Sequence, residues 1–235
     1  MAGNAPEGES RESQPGVRIA RPFGIPVFIS PYWFLIAGVF VILWARGLDR
    51  SVSGELRYVV ASAFVVLLYA SVLVHELSHS VVARAFGLPV RRILLYPLGG
   101  FSEIEREPPT PGREFLVSAA GPLISLALAA VGFGLIRAFH PSGIPGVLLD
   151  QLVVANLLIG LFNMLPGLPL DGGRMLRAGV WKLTGRPSTA TVAAAWAGRG
   201  LAVAVLLIGG YLLLRTGGQV QVFDLLWLAV IVAFI

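Results

Sequence analysis

The chain has 235 residues, of which 56% are hydrophobic and 13% charged, with a mean hydropathy of +0.79 and a formal net charge of +5. That composition excludes an ordinary soluble domain and describes a polytopic membrane protein, and the absence of cysteine excludes disulfides, zinc ribbons and thiol catalysis. The basic residues flank apolar stretches and no basic patch is interleaved with aromatics, so the charge reads as membrane topology, with no nucleic-acid partner.

Residues 1–21, beginning MAGNAPEGESRESQP, are polar and read as a disordered cytoplasmic N-terminus. They lack the short apolar core and cleavage site of a signal peptide. Residues 22–235 read as one transmembrane domain. Six apolar segments follow at Phe28–Ala45, Leu56–Phe86, Phe115–Phe139, Val147–Leu165, Leu201–Leu214 and Val222–Ile235. A helix needs about 20 residues to cross the hydrocarbon core. The fifth segment reaches that length by extending back through TATVAAAWAGRG. The sixth runs into Ile235 with no polar flank, so the chain is expected to be part of a longer one. With a cytoplasmic N-terminus, thirteen of the 18 lysines and arginines fall on the inside and five on the outside. This is the bias expected of a multi-pass protein of the cell membrane.

Two stretches break the pattern. GLPVRRILLYPLGGFSEIE lies between the second and third segments. Its RRILLY portion suits a strand and PLGG interrupts it. FNMLPGLPLDGGR ends the fourth segment with Pro166, Pro169, Gly172 and Gly173. Irregular backbone at membrane depth is tolerated where it is buried in protein or lines a wet cavity. The expected fold is therefore an all-α polytopic membrane protein. It has six transmembrane helices and a short membrane-associated strand or re-entrant segment between the second and third.

The second segment carries His75, Glu76, Leu77, Ser78 and His79. Histidines four apart share one helix face and can reach a single zinc ion, and Glu76 sits beside the first of them, in reach of a metal-bound water. A polar helix-packing cluster is the bland alternative, but polar groups in lipid demand partners. A catalytic zinc site needs a third protein ligand. His140, the remaining histidine, falls in a loop on the opposite side of the membrane. Asp150 lies at the outer end of the fourth segment and Asp224 in the sixth. Asp171 follows the broken end of the fourth segment, which runs in the same direction as the second. Parity therefore places it at the depth of His75 and His79, although a turn residue before two glycines is its plain reading.

HELSH in the second segment and NMLPGLPLDGGR after the fourth together resemble the site-2 protease family of intramembrane zinc metalloproteases. Asn163, Pro166, Asp171 and Gly172 match the spacing of that family's second motif. PLGGF resembles its glycine-bearing loop, and SAAGPLIS resembles its third-span signature except that many members carry asparagine near Ser125. The resemblance covers about Phe23 to Trp181, with a catalytic core over about 56–181. It implies one zinc per chain on His75, His79 and Asp171, with Glu76 as general base toward a zinc-activated water. It also implies that Asn163 donates to the oxyanion, as an alternative to capping a helix end. Gly99 and Gly100 would let an unwound substrate strand add to the RRILLYPLGG edge; a re-entrant structural loop is the other reading. The implied partners are the lipid bilayer and a single-span membrane protein, such as an anti-sigma factor or a membrane-tethered regulator cut in regulated intramembrane proteolysis. One branch, which includes actinobacterial members, carries cytoplasmic CBS modules after the last span. A metal-binding transporter, a non-catalytic membrane scaffold and a zinc hydrolase of lipids or small peptides are the rival readings.

Overall fold

The computed structural model describes residues 16–48, 52, 54–97 and 99–215. Among them the chain forms strands β1 (Val17–Ala20) and β2 (Val27–Ile29), then helices α1 (Tyr32–Gly47) and α2 (Leu56–Ala85). The hairpin of β3 (Val90–Tyr96) and β4 (Gly99–Ile104) follows, and then α3 (Pro111–Phe139), α4 (Gly143–Asn163), α5 (Asp171–Thr184) and α6 (Pro187–Arg215).

Four helices, α2, α3, α4 and α6, are long and apolar enough to cross a membrane. At 1.5 Å per residue the 30 residues of α2 extend about 45 Å. Large apolar side chains such as Val66, Val131, Phe133 and Leu207 face outward, while Ser80, Ser118, Ser125 and Ala129 are buried. Lipid offers aliphatic groups no worse a solvent than protein, so small residues that let helices approach closely occupy the contacts instead. A Cβ on Gly160 would press into Leu126, and one on Gly132 would meet Val153 Cγ2 at 2.5 Å, so these two glycines set the α3–α4 approach. The chain reads as a multi-pass membrane protein.

The structure is mostly helical, as expected, but among the described residues four helices, not six, are long and apolar enough to span, and strands are not confined to the stretch between the second and third segments. β1, β2, β3 and β4 form one mixed sheet in that order. β2 pairs parallel with β3, with Val27 opposite Ile93 and Ile29 opposite Leu95. Phe28 and Ile29 are therefore spent in a strand, and α1 is left with 16 residues, short of a full span. Val17–Ala20, assigned above to a disordered tail, pair antiparallel with β2. The sixth segment, Val222–Ile235, lies outside the described residues, as do residues 1–15.

One face of the sheet is buried. Ile25, Val27 and Ile93 are completely inaccessible and pack with Leu95, Ala83 of α2 and Val117 of α3. Each such side chain contributes roughly 1.5–3 kcal/mol relative to exposure. This cluster fixes the sheet against the last turns of α2 and the first turns of α3, where HELSH and SAAG lie.

α3 starts where Thr110 Oγ1 accepts from the Arg113 backbone N–H at 3.4 Å, with Pro111 in the first helical position. α5 is a short amphipathic helix that the hydropathy reading left unassigned. It closes on Gly185, whose φ of 68° suits glycine. Arg177 ties it to α3 and to the connection before it, donating from Nη1 to Glu114 Oε1 and from Nη2 to Glu107 Oε2, both at 2.8 Å.

Candidate metal centre

His75 and His79 lie one helical turn apart on the buried face of α2. The Nδ1 of each ring is already engaged. His79 Nδ1 is 2.7 Å from the Val117 carbonyl, which can only accept, so this nitrogen carries a proton and Nε2 is the ring nitrogen left to face an ion. His75 Nδ1 lies 3.0 Å from Ser125 Oγ, a fully buried hydroxyl on α3. Both partners come from α3, and both leave Nε2 pointing to the same place. Removing the Ser125 hydroxyl by Ser125→Ala should weaken zinc affinity by about 10–100-fold, the usual scale for a partner that orients a ligating histidine. Competition against a fluorescent chelator measures it directly.

Asp171 arrives from the first turn of α5. Its Oδ2 lies 3.2 Å from His75 Nε2 and 3.2 Å from His79 Nε2. Burial acts to raise its carboxyl pKa, but the two imidazoles beside it overcome that and hold it well below the usual carboxylate range. The glycines after it are a packing requirement. A Cβ on Gly172 would collide with the carbonyls of Met164 and Leu165, and one on Gly173 with the backbone of Gly167 and Leu168. Without side chains there, the helix start presses against the preceding turn and carries Asp171 to the histidines. Late α2 thus meets the segment after α4.

The ligand atoms of His75, His79 and Asp171 all lie within 4.8 Å of one another. Two zinc–donor bonds of about 2.0–2.1 Å at a tetrahedral angle would separate their donor atoms by about 3.3 Å. Both Nε2–Oδ2 distances, at 3.2 Å, match that span. Gly121 completes the fit, because a Cβ there would strike Nε2 of both histidines. Two nitrogens and a carboxylate oxygen form a donor set suited to zinc.

Glu76 occupies the neighbouring face of α2 and is buried. Its Oε2 accepts from Ser102 Oγ of β4 at 2.8 Å. Gly100, two residues earlier on the same strand, faces the Glu76 side chain so closely that a Cβ would overlap its Cγ. The room at Gly100 is thus filled by Glu76, a use that the sequence reading did not foresee. A Cβ on Gly99 would meet no atom of the described residues beyond its chain neighbours within 4 Å.

Asn163 stands apart. Its Nδ2 donates to Ile159 O of its own helix at 3.0 Å, and among the described residues no hydrogen bond links it to His75, Glu76, His79 or Asp171. His140 ends α3 in a left-handed conformation, away from the cluster. The sequence reading missed Ser102 as a contact of Glu76. It treated Ser125 as a departure in third-span packing, whereas the structure puts that hydroxyl on a candidate ligand. SAAGPLIS held a signal for both Gly121 and Ser125, since small and polar residues in a span mark a close approach.

With this geometry in hand, likeness to known proteins becomes informative. The model of Peptidase family M50 matches residues 63–148 and 142–207, which include all four residues of the cluster. A candidate zinc metalloprotease of Synechocystis is 38% identical over 196 residues, covering 82% of this chain and 52% of that protein. Rip3 of Mycobacterium tuberculosis, also named as a candidate zinc metalloprotease, is 37% identical over 189 residues, covering 77% and 48%. The chain thus spans about half the length of these curated relatives. Among solved structures, the site-2 protease from Methanocaldococcus jannaschii superposes with a TM-score of 0.62 at 29% identity, covering 93% of this chain and 92% of that one. The chain belongs to Peptidase family M50.

Proposed function

We propose that this chain is an intramembrane zinc metalloendopeptidase. It hydrolyses a peptide bond in or beside the transmembrane segment of a single-span membrane protein. The reading extends to regulated intramembrane proteolysis, with an anti-sigma factor or membrane-tethered regulator as the class of substrate, and to an active site that faces the cytoplasm. The observation that carries it is the convergence of His75 and His79 with Asp171, with Glu76 on the neighbouring turn face. The relatives named for zinc metalloprotease activity support the choice of metal and reaction.

His75 Nε2, His79 Nε2 and Asp171 Oδ2 would hold the ion. Bound zinc supplies Lewis acidity that makes water a competent nucleophile near neutral pH. Glu76 takes one proton from the attacking water as the new C–O bond forms, and delivers it to the departing amine nitrogen as the C–N bond breaks. Val117 and Ser125 keep the histidine rings oriented throughout. Asn163 would donate to the oxyanion with the second proton of Nδ2, the first being engaged by the Ile159 carbonyl.

A helical substrate has its carbonyls paired and shielded, so a stretch of it must unwind and find new partners. The RRILLY part of the expected edge is β3, which pairs with β2 on one side and β4 on the other, so the free edge among the described residues is that of β4. It supports strand addition of the unwound stretch beside Glu76.

The test is a comparison of wild type with Asp171→Ala, purified in detergent, supplied with zinc and given a panel of single-span substrates. About one zinc per chain with cleavage is expected of the wild type, and loss of both is expected of the variant. Full zinc and full cleavage in Asp171→Ala would refute the ligand set.

A further inference from the structure

Beside the metal cluster lies a second set of contacts that family membership does not explain. Ser102 Oγ, on β4, is 2.8 Å from Glu76 Oε2, 2.9 Å from the Glu76 backbone carbonyl and 3.2 Å from Ser80 Oγ. A serine hydroxyl carries one proton and two acceptor lone pairs. The backbone carbonyl lies within the ladder of α2, whereas the carboxylate oxygen gains a charge-assisted bond. Ser102 therefore donates to Oε2. Ser80 is completely buried one helical turn beyond Glu76, and it donates in turn to Ser102. The chain of donors runs Ser80 to Ser102 to Glu76, with every proton used once. Among the described residues Glu76 Oε1 has no hydrogen bond.

We infer that Ser102 is a positioning residue for the general base. Its hydroxyl clamps Oε2 of Glu76 and reserves Oε1 as the oxygen that accepts the proton from the attacking water. The inference rests on the proposed peptidase reading and deepens it. A free glutamate side chain has three rotatable bonds, and in a buried site each wrong rotamer removes the base from its water. Two features of β4 suppress those rotamers. Gly100 leaves the space that the carboxylate stem fills, and Ser102 pins one oxygen. Alternate residues of a strand share one face, so residues 100 and 102 act together on Glu76. The same strand offers its free edge to substrate, so strand pairing and orientation of the base would be set by one rigid element.

Two readouts test it. The first uses zinc-free protein in detergent, labelled with carbon-13 at glutamate Cδ. The resonance missing from Glu76→Gln identifies Glu76. Ser102→Ala should move that resonance, and Ser102→Thr, which keeps the hydroxyl on a residue well suited to a strand, should return it. The second is cleavage of a single-span substrate by the zinc-loaded enzyme. Ser102→Ala should lower kcat by about 10–100-fold with KM and zinc content unchanged, and Ser102→Thr should recover most of it. An unmoved resonance in Ser102→Ala overturns the proposal. So do an unchanged kcat, a loss of zinc, a rise in KM alone, or a Ser102→Thr variant as impaired as Ser102→Ala. The peptidase reading is judged separately in the same assay. If Glu76→Gln cleaves like wild type, that reading fails. If Glu76→Gln is inactive and Ser102→Ala is fully active, only the role of Ser102 fails.

Discussion

Gly121→Ala is expected to empty the metal centre without altering any ligand residue. The added Cβ would strike Nε2 of His75 and of His79, the two atoms that would bind the ion. Neither ring can swing aside freely, because each is held at Nδ1, His75 by Ser125 and His79 by the Val117 carbonyl. The helix must shift or both histidines must break those bonds. Loss of orientation at a single ligating histidine costs about 10–100-fold in affinity, so disturbing two should cost at least about a hundredfold. Gly134→Ala is the matched control. It lies on the same helix, where a Cβ meets none of the described side chains, and alanine favours a helix over glycine by roughly 1 kcal/mol. Zinc per chain, measured by elemental analysis on protein of equal helicity, should be near zero for Gly121→Ala and unchanged for Gly134→Ala. Equal zinc in both variants would show that the ion binds elsewhere.

Glu76→Gln should have the opposite signature, with zinc kept and catalysis lost. Glutamine preserves the shape of the side chain and can still accept from Ser102 through its carbonyl oxygen. It cannot take a proton from water. Removing a general base costs about 10²–10⁴-fold in rate, and that loss is expected in kcat at full zinc occupancy. Comparable cleavage by the variant would mean that another group acts as base.

The convergence of the candidate ligands was the most legible part of the molecule, for a local reason. Residues four apart on a helix meet on one face whatever surrounds them, so His75 and His79 announced a shared site from spacing alone. Asp171 required only counting crossings of the membrane. Hydropathy marked α2, α3, α4 and α6, because each must supply a long apolar run to span a bilayer.

What hydropathy could not mark is set by distant pairing. Val27, Phe28 and Ile29 look like the start of a span. They become a strand because Ile93, Leu94 and Leu95 lie beside them in register, more than sixty residues away. Val17–Ala20 is only four residues long and follows a polar stretch, and its pairing with β2 is what gives it order. α5 hid behind Pro166 and Pro169, since its polar face lowers the apolar signal that a span search uses. Ser102 is one of many serines in the sequence, and its meaning appears only when β4 folds back onto α2.

The most direct test of the central claim is the zinc K-edge X-ray absorption spectrum of the purified wild-type protein. The account predicts about one zinc per chain, with two imidazole nitrogens and the remaining donors oxygen, at about 2.0–2.1 Å. Multiple scattering from imidazole rings counts the histidines. A protein that takes up no zinc when zinc is supplied, or a shell containing no imidazole or three, would contradict His75, His79 and Asp171 as the metal centre.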